Sequence, residues 1–323
     1  MDPRLAAELA ARDGSDGDFV DAMYRLVLRR EPDPEGRDRS LAKLADGTLS
    51  RATLIHELAS SDEHERVREL DDAVALGLRA RCRSERLSWL QAPPADERVI
   101  EIPWVLSRLG TGRVLEVGYA FAERAYLAGL LRAGVELVGV DLTHADIDGM
   151  ETVEADVRAL PFGDRSFDQV LLVSTLEHVG ADNTMYGADA GRDDDGRRNA
   201  LRELRRVLRP NGTLLVTVPL GEPGDHGWFR QDDVRGWTAL YGSSGWFLDD
   251  VEFYELGDEG WRAAPSFDAA GVRYAERGPA ASAVLCAELS PGRMRHLLTP
   301  GGLHKTARRH VATAYRRVRP HDL

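Results

Sequence analysis

Lysine is almost missing from this chain. Lys43 and Lys305 are the only two, and arginine supplies the rest of the 42 basic residues, a preference that reads as codon bias. Cysteine is as scarce. Cys82 lies in a charged helical stretch and Cys286 in an apolar strand pattern, too few for a disulfide framework or a metal cluster, and the pair fits a reducing compartment. No apolar run approaches the ~20 residues that span a bilayer. The N-terminal segment lacks the long apolar core of a signal peptide, so a cytoplasmic location and no transmembrane segment are expected. Positive charge is in deficit, with a formal net charge of -12. That disfavours a nucleic-acid partner over the surface as a whole.

What is present is globular: 323 residues, 43% hydrophobic and 30% charged, enough for two domains. Over residues 18–63 the pattern is helical. Phe19, Val20, Met23, Tyr24, Val27 and Leu28 share one face at 3.6-residue spacing. Ser15 and Asp18 form an acidic variant of the capping box. Pro32, Pro34 and Gly36 interrupt that helix. Leu41, Leu44 and Ala45 mark a second, ended by Gly47. Ser50 caps a third carrying Leu54, Ile55 and Leu58, and Ser60 with Glu63 opens a fourth towards Arg86. The acidic turn Glu31, Asp33, Glu35 lacks spaced ligands and a closing bidentate Glu, so it reads as a solvated turn in preference to a calcium site. The segments FVDAMYRLVLRREPDPEG and LADGTLSRATLIHELASSDEH resemble a small helical domain of unknown function related to phycobilisome linker repeats. That resemblance implies company with bacterial surface proteins and glycan-modifying enzymes. The expected division is a helical domain over 1–65, a helical linker over 66–95, an α/β domain over 96–290 and a tail over 291–323.

From residue 113 the texture alternates. Residues 114–117, 137–140, 170–173 and 214–218 are short runs rich in Val and Leu, the signature of buried parallel strands joined by crossovers. Ala200, Leu201, Leu204, Val207 and Leu208 form a helical stripe between two of them, and Pro210, Asn211 and Gly212 stop that helix and turn the chain. Residues 251–256 and 281–289 predict two last strands as an antiparallel edge. The fold class expected is α/β, a Rossmann-like sheet with helices on both faces, plus the small all-α N-terminal domain.

The first strand ends in Glu116-Val-Gly118-Tyr-Ala120-Phe-Ala122, a small-residue turn through which backbone amides approach a ligand. Asp141 closes the second strand, 23 residues after Gly118, where an acidic residue accepts from ribose hydroxyls. Asp156 follows a short third strand. These motifs, with LPFGDRSFDQVLLVSTLEHV and ELRRVLRPNGTLLVTVP in order, resemble class I S-adenosylmethionine-dependent methyltransferases over roughly residues 113–219. The family has glycines where Ala120 and Ala122 stand. The resemblance implies S-adenosylmethionine as cofactor, with S-adenosylhomocysteine as product, held by Glu116, Gly118, Ala120, Asp141, Leu142, Asp156, Val157 and Thr175. The segments EIPWVLSRL, VGYAFAE and VPLGEPGDHGWFRQDDV resemble a subset linked to bacterial sugar and surface-polysaccharide modification, which implies O-methylation of a sugar hydroxyl on a glycan, its precursor or a glycosylated metabolite. Methylation of an amine or hydroxyl of a non-sugar natural product is the alternative. A degenerate cofactor-binding scaffold is the non-enzymatic one.

A hydroxyl acceptor must lose a proton. His178, at the carboxyl edge of the fourth strand, and His226, in the loop after the fifth, are the candidate bases. Glu177, Tyr186, Trp104, Asp225 and Trp228 are the candidate acceptor-binding residues. The loop with Asp182, Asp189, Asp193, Asp194 and Asp195 reads as solvated rather than as a metal site, so no metal ligands are assigned and a divalent cation is not favoured. Residues 291–321 hold eight Lys or Arg and no acid. Leu303, Ala307, Val311, Ala314 and Val318 make a thin apolar stripe, which predicts a basic amphipathic helix docking on protein. It or the N-terminal domain supplies the route to a homo-oligomer.

Overall fold

The computed structural model describes residues 9–10, 14–188, 190–278 and 280–292. The chain divides into two compact units, Met1–Asp72 and Ala73–Leu323. The expected tail helix therefore lies, beyond residue 292, outside the described residues.

In the first unit, helix α1 (Asp16–Met23) runs into a wider π turn (Tyr24–Leu28), followed by α2 (Pro34–Ala45), α3 (Arg51–Ala59) and the start of α4 (Asp62–Cys82). The first three starts carry side-chain caps that satisfy an otherwise orphan amide. Ser15 Oγ accepts from Asp18 N at 3.1 Å, Asp33 Oδ1 from Gly36 N at 2.7 Å and Ser50 Oγ from Thr53 N at 3.1 Å. Asp33 is thereby committed to capping. The fourth cap differs from expectation by one residue. Ser60 ends α3, and Ser61 Oγ accepts from His64 N at 3.2 Å. Two adjacent serines offer the same chemistry, and the end of α3 decides between them. Phe19, Val20, Met23, Val27, Leu54, Ile55 and Leu58 form the buried core, each such side chain contributing roughly 1.5–3 kcal/mol.

The second unit is built on a nine-stranded sheet. Its strands are β1 (Gln91–Ala92), β2 (Arg113–Val117), β3 (Glu136–Asp141), β4 (Glu151–Glu154), β5 (Phe167–Val173), β6 (Leu208–Pro219), β9 (Phe247–Gly257), β10 (Gly260–Ala264) and β11 (Ala283–Ser290). The short strands β7 (Gly224–Asp225) and β8 (Arg230–Gln231) pair separately. The order across the main sheet is β4-β3-β2-β5-β6-β11-β9-β10-β1. Strands β2 to β6 are mutually parallel, and β11 is antiparallel to both β6 and β9. The last two expected strands are thus present and antiparallel, but β11 is interior. All eight of its residues are buried, as a strand flanked on both sides requires.

Four helices cover or lead into this sheet: α5 (Arg98–Arg108), α6 (Arg124–Arg132), α7 (Gly196–Val207) and α8 (Val234–Ser243). The stripe of Ala200, Leu201, Leu204 and Val207 on α7 is buried against the sheet. Helix α7 stops at Val207, ahead of the expected Pro-Asn-Gly turn. That turn becomes an irregularity inside β6, where the pairing with β5 jumps from Leu208 opposite Phe167 to Thr213 opposite Gln169. From β2 the chain fills one side of the sheet with β3 and β4, then returns to lay β5 and β6 on the other. This places a topological switch between β2 and β5, and in open α/β sheets the ligand crevice lies at the carboxyl ends of the strands there.

Candidate active site

A cleft opens at that switch, walled by the ends of β2, β3 and β5 and by the turns that follow. Its first half is mostly backbone. Gly118 follows β2 with φ +90°, and a Cβ there would stand 2.6 Å from Thr175 Oγ1. Glycine is required at this point for both reasons. Neither Ala120 nor Ala122 has a positive φ, so alanine in place of the family's glycines is compatible with the turn. Asp141, at the end of β3, accepts from the backbone N–H of Ala120 at 3.0 Å and of Thr143 at 3.3 Å. Burial raises its carboxyl above the ordinary value while those amides work the other way. Gly118, Ala122, Asp141, Leu142, Val157 and Thr175 line the cleft, whereas Ala120 reaches it through Asp141.

Glu116 also lines the cleft but is 1% exposed. Burial pushes its carboxyl up to about 8, against a hydrogen bond from Tyr126 Oη at 2.9 Å. It is therefore largely protonated at neutral pH and offers a hydrogen bond in place of a charge. Asp156 is already engaged. Arg158 Nε lies 3.0 and 2.9 Å from its two oxygens, and Nη2 lies 2.6 Å from Oδ2. Burial raises this carboxyl, and Arg158 more than offsets that, leaving it below its ordinary value. Arg158 also reaches Asp193 Oδ2 at 3.1 Å and the Ala190 carbonyl at 2.8 Å. A ligand amino group meeting Asp156 must share it with Arg158.

The second half is assembled from side chains. His178 ends a short turn (Leu176–His178) after β5. Its Nδ1 is 2.9 Å from the Trp228 carbonyl. A carbonyl only accepts, so this partner assigns the proton to Nδ1 and leaves the Nε2 lone pair free. The ring stacks on Trp228 at 5.2 Å and 28° and meets Tyr186 edge-on at 5.5 Å. Burial pushes its pKa down to about 4, against the pull of the carbonyl, so the ring is neutral at physiological pH. Tyr186 lines the cleft beside Phe121, with ring centroids 5.0 Å apart.

The other expected acceptor residues stand elsewhere. His226 lies flat on Phe229, centroids 4.4 Å apart at 5°, and does not line the cleft. Trp228 contributes its carbonyl and a stacking face to His178. Asp225 is paired with Arg192 and with Arg230. Trp104 is fully buried in α5, where its Nε1 donates to Glu252 Oε1 at 3.2 Å and the Arg108 guanidinium covers its ring at 4.0 Å. The apolar half of α5 packs inward, which removes Trp104 from any acceptor. Glu177 is buried and does not line the cleft. In the acidic loop, Asp193 pairs with Arg158, Asp194 with Arg230, and Asp182 caps Thr184. Asp189 lies outside the described residues. No group of three or more potential metal ligands is found among the described residues.

Sequence reading missed Arg98, Glu101 and Ser174. Arg98 lines the cleft and is ion-paired to Glu101, whose other oxygen lies 2.7 Å from Ser174 Oγ. Ser174 itself has φ +42°, a strained conformation for a non-glycine residue of the kind that clusters at functional sites. The signal was a pair of opposite charges three residues apart in a helix whose other residues, Arg108 apart, are uncharged.

Residues 115–216 match the family described as a methyltransferase domain, and residues 4–67 match a domain of unknown function, DUF4214. A ubiquinone/menaquinone biosynthesis C-methyltransferase from Hahella chejuensis is 35% identical over 124 residues, 38% of this chain and 43% of that protein. The chain thus spans under half the length of that relative. One of the same description from Xanthomonas campestris pv. campestris is 28% identical over 214 residues, 65% of this chain and 76% of its own. Among solved structures, the 1,6-didemethyltoxoflavin-N1-methyltransferase of Burkholderia thailandensis, with S-adenosylhomocysteine bound, is 16% identical with a TM-score of 0.40, covering 87% of this chain and 92% of that one. With the strand order and the glycine turn already in place, residues 115–216 are similar to a methyltransferase domain.

Proposed function

We propose that this protein transfers the methyl group of S-adenosylmethionine to an acceptor that presents a hydroxyl on a ring, with His178 as the general base. The carrying observation is the neutral His178 ring, held by the Trp228 carbonyl at 2.9 Å on the cleft wall. The sulfonium brings an already activated methyl, so the chain's work is to position, to exclude water and to receive a proton. Gly118 and Ala122 admit the methionine portion, Asp141 accepts from ribose hydroxyls, and Leu142, Val157 and Asp156 border the adenine. Arg98 offers the cleft a cation fixed at one end by Glu101.

Phe121 and Tyr186 form an aromatic wall beside the base. Such a wall suits a ring with an apolar face. A sugar hydroxyl on a glycan, its precursor or a glycosylated metabolite is the first acceptor class, in keeping with the VPLGEPGDHGWFRQDDV segment. A phenolic ring methylated on carbon is the second; the Hahella and Xanthomonas relatives are C-methyltransferases of ubiquinone/menaquinone biosynthesis. Deprotonating a phenol activates either its oxygen or an adjacent ring carbon, so the same base serves both. The test is twofold. Calorimetry with S-adenosylhomocysteine should give binding that Asp141→Ala weakens. Incubation with methyl-labelled S-adenosylmethionine and matched panels of sugars, phenols and amines should label a hydroxylated ring. Labelling of amines alone would overturn the base, because a neutral amine needs none.

A further inference from the structure

Glu177 has no part in the mechanism above, yet its surroundings set it apart. It is 3% exposed. Its Oε1 lies 4.0 Å from His178 Nε2, and its Oε2 has no hydrogen-bond partner. Leaving a buried carboxyl oxygen bare costs stability, and such costs concentrate at functional sites. The ring beside it cannot turn away without breaking the Nδ1 bond to Trp228 and the stack on that indole. The charged and titratable groups around Glu177 are Glu101 and Arg98 of α5, Glu97 just before it, and the tyrosines Tyr186, Tyr241 and Tyr274, whose hydroxyls it helps to push up. Arg98 is bound to Glu101, so it does not neutralise Glu177 directly.

We propose that Glu177 is the positioning residue for the base, its ionised carboxyl supplying the charge that balances the His178 imidazolium formed during methyl transfer. This rests on His178 acting as the base. The step balances without an oxidant or reductant. An oxygen lone pair of the acceptor forms the new bond to the methyl carbon, and the carbon–sulfur bond breaks with its pair left on sulfur. The hydroxyl proton passes to His178 Nε2. At 4.0 Å Glu177 is beyond hydrogen-bond reach, so it leaves the Nε2 lone pair open to that proton, yet it is near enough for its charge to act strongly in a buried setting. Burial pushes the Glu177 carboxyl up to about 8. The productive pairing of ionised Glu177 with neutral His178 therefore grows as pH rises through that region.

The test needs no acceptor. The full chain, labelled with 13C at histidine and saturated with S-adenosylhomocysteine, is titrated by NMR from pH 6 to 10, with His178 assigned by the signal lost in His178→Gln. His178 is already neutral there, so its Cε1 resonance should move only as neighbouring acids ionise, with the largest inflection near 8, from Glu177, and a smaller one from the more distant Glu97, which burial raises to about 7. Glu177→Gln should abolish the inflection near 8. Glu116→Gln, which removes a second buried acid, should keep it. A wild-type resonance that stays still, or an inflection near 8 that survives Glu177→Gln, overturns the proposal. The wild-type titration stands even where Glu177→Gln fails to fold, and Glu177→Asp then serves as the variant, expected to shift the inflection rather than erase it. Failure of the base reading is seen separately, as undiminished methyl transfer by His178→Gln whatever the titration shows.

Discussion

The two halves of the cleft are made differently. The half proposed for the cofactor is built from one strand–turn–helix passage and the end of the neighbouring strand. Gly118, Ala120 and Asp141 are brought together by adjacent β2 and β3, and the contact between Ala120 N and Asp141 is the direct consequence. The half proposed to hold the base is built from pieces far apart in sequence. His178 takes its tautomer from Trp228, 50 residues on, and Glu101 meets Ser174 across 73. In a half made of backbone, alanine at positions 120 and 122 is compatible with the turn. A half made of side chains depends on each of them.

That contrast is tested most severely at His178. His178→Gln should lower turnover by roughly 10²–10⁴-fold, the usual loss for a general base, while S-adenosylhomocysteine binds as before by calorimetry. A parallel loss of cofactor affinity would mean the halves are not separable. Next comes Asp141. Asp141→Ala removes an acceptor for two backbone amides and for the ligand, and should cost roughly 1.5–3 kcal/mol of cofactor binding, more than tenfold in Kd. Asp156→Ala should cost less in the same titration, because Arg158 already holds both Asp156 oxygens. Equal losses would show that Arg158 yields freely.

A third measurement concerns stability in the cofactor half. The folded protein holds the Glu116 proton up to about 8, whereas the unfolded chain releases it near 4.5. Between those values the folded state binds more protons, so this group's contribution to stability falls as pH rises. Glu116→Gln does not titrate. Its melting temperature relative to wild type should therefore be higher at pH 8.5 than at pH 5.5, an advantage on the order of 1–3 kcal/mol. A constant difference would remove the buried acid. The smallest effect belongs to His226. It stacks on Phe229 outside the cleft, so His226→Ala should change the methyl-transfer rate less than about threefold, within the range of a packing change and far below general-base loss. A loss matching that of His178→Gln would return His226 to the mechanism.

The meeting of Gly118, Ala120 and Asp141 was legible because they are neighbours along the chain or at the ends of successive strands, where spacing fixes position. Leu142, Val157 and Thr175 line the cleft as expected for the same reason. The engagement of Asp156 by Arg158 was not legible, since a side chain two residues on can point anywhere. In the base half, His178 and Tyr186 reached the cleft, whereas Trp104, Asp225 and His226 did not. Their polar or aromatic character suited a site, but burial in α5, pairing with arginines and stacking on Phe229 took them instead.

The sequence by itself determined the elements, the parallel order of the first strands and the glycine turn, because apolar period, capping residues and a residue that alone tolerates φ +90° act locally. Only the tertiary structure decided that β11 lies inside the sheet, that Arg98 reaches the cleft with Glu101 paired to it, and which histidine lines it. Those outcomes rest on hydrogen bonds and packing between segments 50 or more residues apart, and no local pattern encodes which distant partner a side chain will meet.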